Sequence, residues 1–437
     1  MKTIVDPLLI DDIMQELEIK DIATASIRQV GAIVRAVEER TGLEYIHFEM
    51  GIPGLPPSAV GVEAECEALR RGVAAEYPVI DGVKSLKEQA SRFMKAFLDA
   101  DIPPRNCIPT AGSMQASFAS LMLCSQIDKR RDTVLYIDPG FPVQKMQAQV
   151  IGVKIASFDI ADYRGAALEE KLRSYLDRGN ICAILYSSPN NPSWMCLNDC
   201  ELQIIGQLAT EYDTVVIEDL AYMTMDFRRD MSKPFEPPYQ PTVAKYTDNY
   251  ILLMSASKIF SYAGQRIAVA CIADKLYERH CKALAERYGI ARFGAAFAYI
   301  YLYTFSSGVA HSAQYAMAAM LQAACDGVYN FVGDIKEYAV RTRRIKEILQ
   351  CHGFHVVYDK DIDEPVSDGF FFTIGYGNMT GAELLRELLY YGISGIDLVT
   401  TGSNRRGIRA CSSNIKPHHY AMLDERLRIF NENHKQQ

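Results

Sequence analysis

The 437-residue sequence predicts an α/β protein, with a large domain built on a mainly parallel central sheet flanked by helices and a smaller α+β domain. Three observations predict it. Short β-rich runs alternate with helix-length segments from about Ala59 to Cys325. Most polar residues with chemical potential come directly after those runs, at the carboxyl ends of strands, where ligands sit in such sheets. After about Asp326 the pattern changes to one long helix followed by mixed strands and helix.

The elements follow in order. The segment to about Thr41 repeats apolar residues at Ile27, Val30, Ile33, Val34 and Val37, the spacing of an amphipathic helix. Gly51-Ile52-Pro53-Gly54-Leu55-Pro56-Pro57 then breaks regular structure. Strands are expected at Thr133–Ile137, Val153–Ser157, Ile181–Tyr186, Thr214–Ile217, Tyr250–Met254 and Ile267–Ile272. A helix to Leu349, strands at His355–Val357 and Phe370–Ile374, a helix near Gly381–Tyr391 and a strand around Gly407–Ala410 complete the chain. Residues 1–58 read as an N-terminal arm that joins the small domain, 59–325 as the large domain and 326–437 as the C-terminal small domain.

Composition narrows the function classes. A net charge of −8 offers no global field for nucleic acid, and the short arginine groups read as solvated charge. Eleven scattered cysteines include no C-x-x-C pair, which argues against zinc or a disulfide framework and for reduced thiols in the cytoplasm. His418-His419 has no further ligand at useful spacing and reads as surface. The acidic, amphipathic N-terminus is not a signal peptide, and the most apolar stretch, Gly294–Tyr303, is about half a membrane span. A soluble cytoplasmic protein with no membrane partner is expected.

Five segments carry chemistry. In Ser255-Ala-Ser-Lys258-Ile-Phe-Ser-Tyr-Ala-Gly264-Gln-Arg266, a lysine follows a strand among small hydroxyl residues. Its amine becomes nucleophilic when burial or a neighbouring cation lowers its pKa. Gly264 would let the chain fold back, so that Arg266 grips a phosphate while Ser255 and Ser257 donate further bonds. In Val215-Val-Ile-Glu218-Asp219-Leu-Ala-Tyr222, an apolar strand ends in two acids that alternation turns to opposite faces. Either acid can keep a pyridine nitrogen protonated, and Tyr222 can bond an oxygen on the same ring. Pro192 holds Asn191 extended at another strand end. Gly112-Ser113-Met114 opens a helix whose N-terminal N–H groups suit an anion. Phe141, in Asp138-Pro-Gly-Phe-Pro142, can stack on a planar ligand. Each segment alone has a plain explanation as well: a surface lysine, a turn, a helix cap at Ser113, a core phenylalanine.

Together, and in this order, the five segments resemble the fold type I pyridoxal 5′-phosphate (PLP) enzymes, specifically the class I/II aminotransferases, from about Tyr45 to Cys411. The resemblance implies a Schiff base between Lys258 and PLP, with Ser255 and Arg266 on the phosphate. It implies Asp219 on the pyridine nitrogen and Tyr222 on the ring oxygen, with Gly112, Ser113, Met114, Phe141 and Asn191 completing the cofactor site. The family's N-P-T-G stands here as Asn191-Pro192-Ser193-Trp194, a departure that puts the loop's shape in question. Gly51, Asn191 and Arg409 match residues that bind the substrate carboxylate, with Arg405 and Arg406 nearby as rivals to Arg409. Tyr77 matches a tyrosine that reaches the partner subunit's phosphate, which implies a homodimer with shared active sites. The implied activity is transfer of an amino group from an amino acid to a 2-oxo acid, and a β-lyase or decarboxylase on the same site is the alternative.

Overall fold

Aliphatic runs bounded by turn residues form seven strands in one sheet: β1 (Cys107–Thr110), β2 (Thr133–Asp138), β3 (Lys154–Asp159), β4 (Ile181–Ser187), β5 (Val215–Asp219), β6 (Tyr250–Ser255) and β7 (Ala268–Ile272). The structure, a computed structural model, describes residues 3–434. The sheet order is β1-β7-β6-β5-β4-β2-β3. Strands β2 to β6 run parallel, whereas β7 is antiparallel to both β6 and β1. All five residues of β5 and β7, and all six of β2 and β6, are buried, as expected of a sheet covered by helices on both faces. The parallel direction brings the ends of β2, β4, β5 and β6 (Asp138, Ser187, Asp219 and Ser255) to one rim.

The chain divides into two compact units. The sheet belongs to the unit of Pro56–Pro189 and Cys196–Ile335. The other unit combines the chain up to Leu55, the six-residue segment Asn190–Met195 and the chain from Lys336 onward. It contains β8 (Phe354–Val356), a small hairpin of β9 (Lys360–Asp361) and β10 (Glu364–Pro365), then β11 (Phe371–Tyr376), β12 (Ile396–Asp397) and β13 (Ile408–Cys411). Its four-stranded antiparallel sheet has the order β12-β13-β11-β8. The helix Ile27–Thr41 buries Val30, Ile33, Val34 and Val37 in the same core as Leu384, Leu388, Leu427 and Phe430. A capping box at Ser26 and a left-handed Gly42 set the two ends of that helix.

Two local expectations change. The run before Gly112 is strand β1, although it contains Pro109. A proline lacks the ladder N–H and is tolerated there because β1 is an edge strand. The chain between Lys258 and β7 reverses at Ser261 and Arg266, both at φ 51°, and not at Gly264.

Candidate active site

Strand β6 ends at Ser255, and the next four residues, Ala256–Ile259, form one helical turn that carries Lys258. The Ser255 hydroxyl accepts from the Ser257 N–H at 3.2 Å and caps that turn. Ser255 pairs with Ala268 on β7, so the loop leaves and re-enters the sheet at one place. Tyr262 pins the loop from the outside by donating to Glu65 at 2.6 Å. Lys258 is half-buried, which suits an amine that must be both held and reachable.

Arg266 returns to the same place. One guanidinium nitrogen donates to the Ala263 carbonyl at 2.9 Å and lies 3.5 Å from the Ser257 hydroxyl. The other packs on Gly112: a Cβ there would lie 2.3 Å from Nη2 and 2.9 Å from Cζ. Gly112 also has φ +73°, a conformation that favours glycine. The helix Gly112–Ile127 starts at this contact, and no side chain caps it at Ala111. The Gln115 side chain bonds instead to the Ala111 N–H at 2.7 Å, and Ser113 does not act as the cap. A guanidinium, the Ser257 hydroxyl and the N-terminus of a 16-residue helix therefore lie close together, an arrangement that suits an anion.

Asp219 ends β5, the neighbour of β6, and its register partner Leu253 lies two residues before Ser255. It is 7% exposed. The Gln144 amide donates to one carboxylate oxygen at 2.8 Å and the Ala221 N–H to the other at 3.1 Å. Burial pushes the carboxyl up to about 6, opposed by these two bonds. Glu218 points to the other face, where the Thr242 hydroxyl at 2.6 Å and the Val243 N–H hold it. Burial pushes that acid up to about 7. Strand alternation thus separates a packed acid from the acid at the rim.

Tyr222, three residues beyond Asp219, is buried. Phe141 is half-exposed and starts the helix Pro142–Ile151, which carries Gln144 to Asp219. Sequence reasoning missed Gln144. It stands one turn after Phe141 at the start of the same helix, a spacing that does not by itself distinguish it from a packed glutamine. Met114 lies in the first turn of the helix Gly112–Ile127, its carbonyl accepting from the Gln147 side-chain amide at 2.8 Å. Tyr77 is 89% exposed, before the helix Lys84–Leu98.

The remaining three residues, Gly51, Asn191 and Arg409, belong to the other unit. Arg409 lies on β13 between Thr373 of β11 and Ile396 of β12, and it is 1% exposed. Its guanidinium donates to the Glu49 carbonyl. Arg405 instead stacks on Tyr358, and exposed Arg406 donates to the Asn378 carbonyl, which distinguishes the three arginines. Asn191 is buried in a tight loop closed by Asn190 N–H to the Met195 carbonyl at 3.0 Å and Trp194 N–H to the Asn190 carbonyl at 3.0 Å. Trp194 takes φ 64°, so the residue that replaces the family's glycine keeps a glycine-like backbone.

Residues 44–361 match the family model for aminotransferase class I and II. The chain belongs to this family. Among curated relatives, a probable aspartate aminotransferase of Methanocaldococcus jannaschii is 24% identical over 59% of this chain and 63% of that protein. A glutamate-pyruvate aminotransferase of Escherichia coli is 27% identical over 54% and 56% respectively. The chain thus spans about three fifths of the length of the curated relatives it matches. The fold is that of aspartate aminotransferase from Thermus thermophilus with maleate, at a TM-score of 0.75, 18% identity and coverage of 93% and 96%. Aminotransferases of this family and fold are generally PLP-dependent. No helix among the described residues is long and apolar enough to cross a membrane.

Proposed function

We propose that the protein is a PLP-dependent aminotransferase that moves an amino group from an amino acid to a 2-oxo acid. The observation that carries the reading is the pairing of the Gly112–Arg266 anion cradle with a buried carboxylate and a half-buried amine on adjacent strands. That donor set fits a flat phosphorylated pyridine. The cradle answers a phosphate, Asp219 a protonated ring nitrogen, and Tyr222 a ring oxygen. Phe141 offers a stacking face, and Lys258 an amine for the aldehyde. Asn191 joins the cofactor contacts from its own loop. When bound, the cofactor supplies an electron sink for charge developing at the substrate Cα.

The chain's residues do the rest. Arg409 binds the substrate carboxylate bidentately, with Gly51 and Asn191 beside it, and so fixes which bond at Cα faces the sink. The Lys258 Nζ takes the Cα proton and returns it one atom over, as base and then acid. The Asp219 carboxylate keeps the ring nitrogen protonated throughout. The domain roles follow: 59–325 holds the cofactor, 326–437 supplies the substrate arginine and 1–58 supplies Gly51. Tyr77 reaches the phosphate of a second copy in a homodimer. Val79, two residues on, is exposed as well and supplies apolar surface for that contact. None of the eleven cysteines is joined in a disulfide, which supports a cytoplasmic location.

Turnover of an amino donor is expected to require a 2-oxo acid and to rise saturably with it. Product formation from amino acid alone, unaffected by added oxo acid, would favour the lyase or decarboxylase reading instead. The cradle has its own test. Gly112→Ala drives a methyl into the guanidinium of Arg266 and is expected to weaken PLP binding by roughly tenfold to a hundredfold. Gly264→Ala, with nothing within 4 Å of the added methyl, is expected to bind PLP like the parent. Equilibrium dialysis of the two variants compares them directly.

A further inference from the structure

Phe371, the first residue of β11, is met from three directions by groups far apart in sequence. The Arg409 guanidinium lies over its ring, with Cζ 4.9 Å from the centroid. Trp194 meets it edge-on, with centroids 6.3 Å apart and planes at 64°. Gly51 presses on the ring's far end: a Cβ there would lie 3.0 Å from Cζ and 3.3 Å from Cε1.

The register explains the first contact. Thr373 pairs with Arg409, and Phe371 lies two residues back on the same face, so its ring and the guanidinium are diagonal neighbours. The second contact needs a particular backbone. Trp194 holds φ 64°, where a bulky residue is uncommon, and its indole packs onto Gly369. A Cβ on Gly369 would lie 2.1 Å from the indole Cε2, so only a glycine admits the ring there. Phe371, Trp194 and Arg409 are each no more than 1% exposed, and solvent does not weaken the cation–ring attraction. A ring also holds a guanidinium in place without neutralising its charge.

We propose that Phe371 is a positioning residue whose ring, braced by Trp194, sets the Arg409 guanidinium, the Asn191 loop and the Gly51 backbone as one group for a substrate carboxylate. This rests on Arg409 being the carboxylate ligand. Trp194 then replaces the family's glycine for a reason: it ties the loop to the ring that orients the arginine. Both residues act through Arg409 and touch no reacting atom.

The chain has a single tryptophan, so the emission of Trp194 reports on this group directly. The PLP-loaded protein is titrated with propionate, and affinity is read from the midpoint of the emission change. Phe371→Leu is expected to weaken propionate binding about tenfold while bound cofactor stays at the parent level. Arg409→Lys weakens it too, and the double variant stays within about twofold of Arg409→Lys, because the ring works through the arginine. Parent-like affinity in Phe371→Leu, or a double variant that loses the full product of both effects, overturns the proposal. Arg409→Lys with parent-like affinity would instead remove the carboxylate reading, and the positioning role with it. If Phe371→Leu does not fold, Phe371→Met preserves volume without the ring and carries the same test.

Discussion

Lys258→Ala is expected to lower turnover by at least about a thousandfold, the scale of a lost general acid–base group, while the protein still retains PLP. The retention follows from the geometry. The Gly112–Arg266 cradle, Ser257 and Asp219 are held by hydrogen bonds and strand register that do not pass through the lysine side chain. The loss follows because the half-buried amine is the group this loop presents, on a turn capped by Ser255 and anchored by Tyr262. A small primary amine added to Lys258→Ala should restore part of the rate, since a free base can then take the proton. Parent-rate transamination by Lys258→Ala would end the reading of Lys258 as the proton shuttle.

Asp219→Asn is expected to lower kcat by roughly a hundredfold to a thousandfold, because the amide keeps the shape but not the charge that holds a proton on the ring nitrogen. Gln144 makes the pH dependence testable without turnover. Its amide and the Ala221 N–H favour the ionised carboxylate, while burial raises the acid to about 6. Affinity of the cofactor-free protein for PLP should therefore climb as pH rises through about 6. Gln144→Leu removes one stabilising donor, so the acid rises further and the climb moves to higher pH. The variant should bind several-fold more weakly than the parent near pH 6 and similarly at pH 8. Superimposable pH–affinity curves would show that Gln144 does not act on Asp219. The same raised acid has a stability sign: its contribution to the cofactor-free fold is lost as pH rises from near 3.8 through about 6, and a bound cation offsets that loss.

Much of the large unit was readable because its chemistry is local. Asp219, Ser255 and Lys258 come at or just after the ends of apolar strands, where a parallel sheet exposes its rim. The six anticipated strands all appear with ends shifted by at most two residues, and β1 was missed because Pro109 reads as a break unless the strand is known to lie at an edge. The antiparallel direction of β7 could not be read either, since side-chain periodicity is the same in both directions. Glu44 shows the same limit: it meets His418 and His419 at 3.0 and 2.9 Å across more than 370 residues of chain. Its carboxyl is pulled down to about 2 by these two imidazoles. The Lys416 N–H donates to His419 Nδ1, so Nε2 carries the proton toward Glu44, an arrangement that disfavours metal ligation there.

By itself, then, the sequence determined the fold class and the order of the chemical segments, and it nominated Lys258, Arg266 and the Glu218–Asp219 pair as candidates, because each stands in a local pattern of strand, turn and residue type. Only the tertiary structure decided what supports them. Gln144 reaches Asp219 from 75 residues away, and Phe371 gathers Gly51, Trp194 and Arg409. Glutamine and phenylalanine carry no pattern that distinguishes support from filler. Their roles come from strand register and close packing, which join residues by distance in space and leave no mark on the spacing along the chain.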